Sequence, residues 1–229
     1  TMMRGKMMNY SNKKKPNFKK ALKIATDILI SSYVINSFPF SIIKVIKEKT
    51  KIACRSYSHA AMFGVDINDF GSKDAIYFDY DGLGIIFYNE KIPWKERQRF
   101  SLNHELGHYL MGHDLNNKEM YDTYEVEANF FAAQMLMPEQ VINELVRRGQ
   151  IVNEENLVLW FNVSKKAARK RLETLRQIDF SKRSYEEHII DESILQKFDG
   201  FINNIATKSF VNYDPYFEEE LQRERDLWF

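Results

Sequence analysis

The stretch Arg97-Gln98-Arg99-Phe100-Ser101-Leu102-Asn103-His104-Glu105-Leu106-Gly107-His108 decides how this chain is read. It lies between Pro93 and Gly112, with Trp94, Phe100, Leu102, Leu106 and Leu110 at helical spacing, so a long helix is expected to start at Pro93 and stop at Gly112. Within it stands the pattern H-E-x-x-H. Residues four apart share one helical face, so His104 and His108 can aim two imidazole nitrogens at one cation. Glu105 is turned about 100° from His104, near enough to reach a metal-bound water without ligating the metal. A cation there lowers the water's pKa to about 7, and the carboxylate takes its proton as it attacks a carbonyl. Taken by itself the motif also fits a pair of buried, hydrogen-bonded histidines.

A catalytic zinc needs a third protein ligand and an open position. His113 comes five residues after His108, about 140° away on a continued helix, and Asp114 stands where the longer H-E-x-x-H-x-x-G-x-x-H pattern would need its last His. Glu125 is the better candidate. A loop through Asp114 to Lys118 leads to a helix from Tyr121 to Met137, halted by Pro138, and antiparallel packing would set Glu125 over the His pair. Asn129, one turn on, can take the free ring nitrogen of a ligating His. Glu127, about 200° round from Glu125, is the rival. The cofactor expected is Zn2+, with Mn2+ or Fe2+ also suited to such a donor set.

Composition narrows the rest. The chain has 229 residues, is 44% hydrophobic and 14% aromatic, and carries 33 basic against 32 acidic residues. That makes a packed core and no overall electrostatic case for nucleic acid. Cys54 is the one cysteine, so any metal site must use His, Asp and Glu. Every apolar stretch is broken by charge well before 18 residues, and Thr1 to Lys20 lacks the apolar block of a signal peptide. No membrane partner and a cytoplasmic setting are therefore expected.

Working outward, residues 1–16 read as a flexible arm and 17–149 as the core. A helix is expected from Phe18 to about Val34, and a second is signalled at Ser37-Phe38-Pro39, with Pro39 near its first turn and Ile42, Ile43 and Ile46 inward. Lys51 to Tyr57 reads as a strand. Ala75–Tyr80 and Leu83–Tyr88 flank the turn pair Asp81-Gly82, so a small antiparallel sheet is expected, after a loop through Gly64 and Asp69-Phe70-Gly71. Glu139 to Arg148 is a further helix. Residues 150–179 hold two helices parted by Phe161-Asn162-Val163-Ser164, with Ser164 as cap and Ala167, Ala168, Leu172 and Leu175 as the apolar face. Residues 180–229 form a C-terminal extension of unassigned role, with one helical pattern from Ile190 to Ile205 and an aromatic-acidic end, Tyr213 to Phe229.

The block ending at His108, followed by Glu125-Val126-Glu127-Ala128-Asn129-Phe130-Phe131-Ala132-Ala133 and Leu136-Met137-Pro138, resembles the paired motifs of the ImmA/IrrE family of metallopeptidases. The resemblance extends over roughly Lys20 to Ile178. It implies His104, His108 and Glu125 as metal ligands, Glu105 as base, and a zincin-like α+β core with a small sheet packed on the metal-bearing helices. It implies further that substrate backbone pairs with an edge strand, for which Ile85 to Tyr88 is the candidate. The substrate typical of the family is a helix–turn–helix repressor, cut to switch on a mobile element, phage or stress operon. The oxyanion donor stays open among Tyr109, His113 and Tyr124, with Tyr121 and His188 as further choices.

The stretch Asn162 to Leu172 is similar to the end of a helix–turn–helix unit. Lys165, Lys166, Arg169, Lys170 and Arg171 make it basic, so contacts to phosphates or to a protein partner are open to it. With charge balanced overall, solvated side chains on a helical pair that closes the core are the favoured reading, and DNA binding is not. The competing class of function is a non-catalytic anti-repressor or toxin–antitoxin component that keeps the scaffold. Oligomeric state is not legible.

Overall fold

The computed structural model describes residues 15–66, 68, 73–80 and 82–207. Residues 1–14 of the expected arm over 1–16, the loop residues Asp69-Phe70-Gly71, the turn residue Asp81 and the end Tyr213 to Phe229 lie outside them. Asn17 opens α1 (Phe18–Ser31): its side chain accepts the Lys20 N–H, and Ala21, Ala25, Ile28 and Leu29 form the buried stripe. The helix stops three residues short of Val34. In α2 (Ile42–Lys49), which begins after Pro39 and not around it, Ile42 and Ile46 are buried as expected, while Ile43 is exposed and Val45 takes its inward place.

Three strands follow: β1 (Ala53–Ser56), β2 (Ala75–Tyr80) and β3 (Leu83–Tyr88), ordered β1-β3-β2. The hairpin β2–β3 is antiparallel, with Tyr77 opposite Ile86. β1 instead runs parallel to β3, Ala53 opposite Ile85, so the sheet is mixed and not antiparallel throughout. A 3₁₀ turn (Tyr57–Phe63) and β2 lie between β1 and β3 and return the chain in the same direction. β3 is thus the central strand. Ile85-Ile86-Phe87 are all buried, the unbroken apolar run of a strand covered on both faces. Ile85 and Phe87 pack on Ala60, and Ile86 joins the main core. The expected edge strand Ile85 to Tyr88 is therefore corrected: on this side of the sheet β2 is the edge.

Helices make up the remainder: α3 (Lys95–Met111), α4 (Tyr121–Leu136), α5 (Glu139–Arg147), α6 (Glu154–Phe161), α7 (Lys165–Leu175), α8 (Tyr185–Lys197) and α9 (Asp199–Ile205). One core cluster runs from Ala21 through Leu106, Phe131 and Phe161 to Ile194, Phe198 and Ile202. Phe38 is its hinge pin, with ring centroids 5.2 Å from Phe161, 4.7 Å from Phe198 and 5.1 Å from Phe201. Among the described residues no helix is long and apolar enough to cross a membrane.

The approach of α3 to α4 depends on Gly107. A Cβ there would stand 2.9 Å from Phe131 Cδ1 and 3.3 Å from Phe131 Cβ. The second of these cannot be relieved by a rotamer change. Gly107→Ala gains helix propensity of about 1 kcal/mol but overpacks by about 1–3 kcal/mol. We expect a net loss, read as a melting temperature lower by a few degrees, at roughly 2–4 °C per kcal/mol for a chain of this size.

Candidate metal centre

Helix α3 presents His104 and His108 on one face, and α4 brings Glu125 across to them. Their ligand atoms lie within 4.8 Å of one another, and these three residues are the His/Cys/Asp/Glu group able to hold an ion among the described residues. The two Nε2 atoms are 2.9 Å apart. Glu125 Oε2 is 3.4 Å from His104 Nε2 and Oε1 is 3.4 Å from His108 Nε2. Two imidazole nitrogens and a carboxylate, converging from two packed helices, are the donor types a divalent transition metal takes. Hydrogen bonds to both histidines hold the Glu125 carboxyl well below the usual carboxylate range. The Tyr121 phenol also leans on Glu125, and burial with that contact raises its pKa.

Each histidine is held from behind. His104 Nδ1 is 3.1 Å from Asn129 Oδ1, the contact expected for Asn129. His108 Nδ1 faces His113 Nδ1 at 2.9 Å. His113 reaches that place because α3 does not continue. Gly112 adopts φ 70°, its N–H bonds the Tyr109 carbonyl at 3.1 Å, and the His113 N–H bonds the His108 carbonyl at 3.0 Å. This is the paired closure of a Schellman turn, and it swings His113 under His108. Glu127, the rival ligand, turns away from the trio and meets His113 Nε2 at 2.7 Å. Burial holds the His113 imidazole below its usual range, against the pull of Glu127.

Glu105 is 7% exposed. Its Oε2 accepts the Tyr77 backbone N–H at 2.8 Å, so α3 grips the open edge of β2 through the very carboxylate next to the His pair. Burial raises its pKa, while the histidines and the Tyr77 amide oppose that rise. Arg97 Nη2 to Asp74 Oδ1, 2.8 Å, pins the start of β2 to the same helix.

The candidate oxyanion donors separate. Tyr109 is exposed and its ring lies 5.5 Å from that of Tyr77. These two rings, with Asp79, His108 and Asn116, border a cleft of about 540 Å³. Tyr124 is stacked on His113, centroids 4.3 Å apart, and both therefore sit behind the His108 ring and not on its open side. His188 is on α8, which packs against α1 and α5. A larger groove of about 1520 Å³ runs from Asn129 and Phe130 to α7.

On α7, Ser164 caps as expected, accepting from Ala167 N at 3.2 Å. Its basic residues are differently placed. Arg169 Nε pairs with Glu154 at 3.0 Å and Lys170 with Glu173 at 2.9 Å, while Lys165 and Lys166 are exposed. Arg171 is not solvated at all: it is buried, donating to the Met137 carbonyl at 2.9 Å and to Gln134. It lies over the Phe130 ring and 3.9 Å from Glu139, and so ties α7 to the α4–α5 junction.

A mixed α+β unit with a small edge strand gripped by the Glu of an H-E-x-x-H helix, and a second helix adding a Glu, defines a class of metal-site domain. Residues 60–173 match the family model described as the IrrE N-terminal-like domain. The chain belongs to the ImmA/IrrE family. It is 29% identical over 112 residues to "Metallopeptidase ImmA" of Bacillus subtilis, a match covering 46% of this chain and 63% of that protein. It is 44% identical over 101 residues to "Radiation response metalloprotease IrrE" of Deinococcus radiodurans, covering 39% of this chain and 30% of that protein. The matches thus span less than two thirds of either relative.

Proposed function

We propose that this chain is a metal-dependent endopeptidase of zincin-like build. In this proposal His104, His108 and Glu125 hold a divalent ion, Zn2+ first and Mn2+ or Fe2+ as substitutes, and Glu105 is the general base. The convergence of the three ligand atoms within 4.8 Å carries the proposal. The family membership and the metallopeptidase names of both relatives support it. When bound, the ion supplies Lewis acidity to a scissile carbonyl and to the attacking water. Glu105 takes the proton of that water and passes it to the leaving amine. The Tyr77 amide orients Glu105 for this role. Substrate backbone would add to the open edge of β2, beside the 540 Å³ cleft, and Tyr109, an exposed phenol lining that cleft, would donate to the oxyanion.

The substrate we propose is a helix–turn–helix transcriptional repressor, met in the cytoplasm. The residue divisions proposed with it are a core over 17–149, a helix–turn–helix-like segment over 150–179 and an extension beyond. DNA binding by α7 gains no support, because two of its five basic side chains are ion-paired and Arg171 is buried. The test is incubation of the zinc-loaded protein with candidate repressors from genes adjacent to its own, followed by intact-mass measurement. Two fragments whose masses sum to the repressor plus one water are expected. Tight complex formation without fragments at any divalent metal would sink the peptidase assignment and favour an anti-repressor.

A further inference from the structure

Behind the trio runs a second line of polar side chains that the hydrolysis proposed above does not use. His108 Nδ1 is 2.9 Å from His113 Nδ1, and His113 Nε2 is 2.7 Å from Glu127 Oε2. Glu127 Oε1 accepts the Asn17 backbone N–H at 2.6 Å. The side chains of His108, His113 and Glu127 are only 3%, 2% and 8% exposed. Such burial makes every donor and acceptor in the line count, since an unmatched one costs about 1–3 kcal/mol.

Proton positions follow from one condition. A His108 that offers its Nε2 lone pair to a cation, as the proposed metal centre requires, must as a neutral ring carry its proton on Nδ1. That proton points at His113 Nδ1, which must then be bare. The His113 proton accordingly sits on Nε2 and donates to the Glu127 carboxylate, whose second oxygen is already taken by Asn17. Every donor meets an acceptor, and no other placement of the two ring protons does this with His108 Nε2 free.

We infer that His113 and Glu127 are positioning residues, a relay that selects the Nδ1–H tautomer of His108 and fixes its ring for cation binding. The relay rests on the metal-centre proposal and extends it. It gives His108 the carboxylate that its own Nδ1 does not touch, by way of a second imidazole. It also joins three elements, α3 through His108, α4 through Glu127 and the N-cap of α1 through Asn17, so the docking of α1 is coupled to the ligand's orientation.

The experiment is a zinc competition titration of the parent, His113→Gln, Glu127→Gln and the double variant, with melting of each metal-free protein followed in parallel. Each single substitution is expected to weaken zinc binding about 10–100-fold. The double variant is expected to be no weaker than the poorer single, because both act through one ring. A long-range ¹⁵N spectrum of the zinc-loaded parent should show His108 protonated on Nδ1 and His113 on Nε2. Unchanged affinity in both single variants, additive losses in the double, or a His113 proton on Nδ1 would overturn the relay. If His113→Gln does not fold, Glu127→Gln and the spectrum decide. A parent that takes up no zinc is a separate result, read first, and it removes the metal centre together with the relay.

Discussion

Glu105→Gln is expected to lower kcat/KM for cleavage of the proposed repressor substrate by about 10²–10⁴-fold, the range for loss of a general base, while leaving zinc content and melting temperature as they are. The separation is possible because Glu105 does two things. Its carboxylate can receive a proton, and its Oε2 accepts the Tyr77 amide at 2.8 Å. A glutamine keeps the second role through its side-chain carbonyl and is the same size in a site only 7% exposed. Elemental analysis, thermal melting and a timed cleavage assay on one preparation read all three quantities. Cleavage at the parental rate would eliminate Glu105 as base. Derepression in cells that survives the substitution would assign the biological effect to binding, as an anti-repressor would act.

Glu125→Ala is expected to act on the other side of that division, reducing bound zinc from about one per chain to a trace. Its loss leaves two imidazoles, His104 and His108, with no charged partner for the ion. Dissociation should become faster and affinity fall by more than the roughly 100-fold limit typical of residues that only support a ligand. The affinity loss should therefore exceed that of either relay substitution, and this ordering distinguishes a ligand from a positioning residue. The metal-free protein should fold unaided, since Glu125 is a third exposed at the rim of α4 and has no place in the hydrophobic core. Zinc retained at parental affinity would transfer the third-ligand role elsewhere.

Much of the fold was legible because its signals are local. Helical periodicity, the stop at Gly112, the cap at Ser164 and the β2–β3 hairpin each depend on residues within a few positions of one another. The unbroken run Ile85-Ile86-Phe87 held a further signal, that of a central strand, which marks β2 and not β3 as the edge beside the site. The parallel pairing of β1 with β3 was not legible, because nothing in Ala53–Ser56 specifies which partner or direction it takes across some thirty residues. Arg171 shows the same limit: in a basic stretch its charge reads as solvated, yet the Met137 carbonyl and Gln134 take it inside.

At the site, spacing alone put His104 and His108 on one face with Glu105 beside them, since four residues make about one helical turn wherever the helix is packed. The register of α4 on α3 was a matter of tertiary contact. Gly107 admits the Phe131 ring, and that close approach sets Glu125 over the histidines and Glu127 away from them. His113 makes the contrast sharpest. Counting residues along a continued helix turns it away from His108, but a left-handed Gly112 ends the helix and folds it back beneath. Helical geometry, a property of neighbouring residues, is what the chain determined by itself. Which side chains meet from different elements depended on packing and on where the backbone reverses, and only the folded structure decides those.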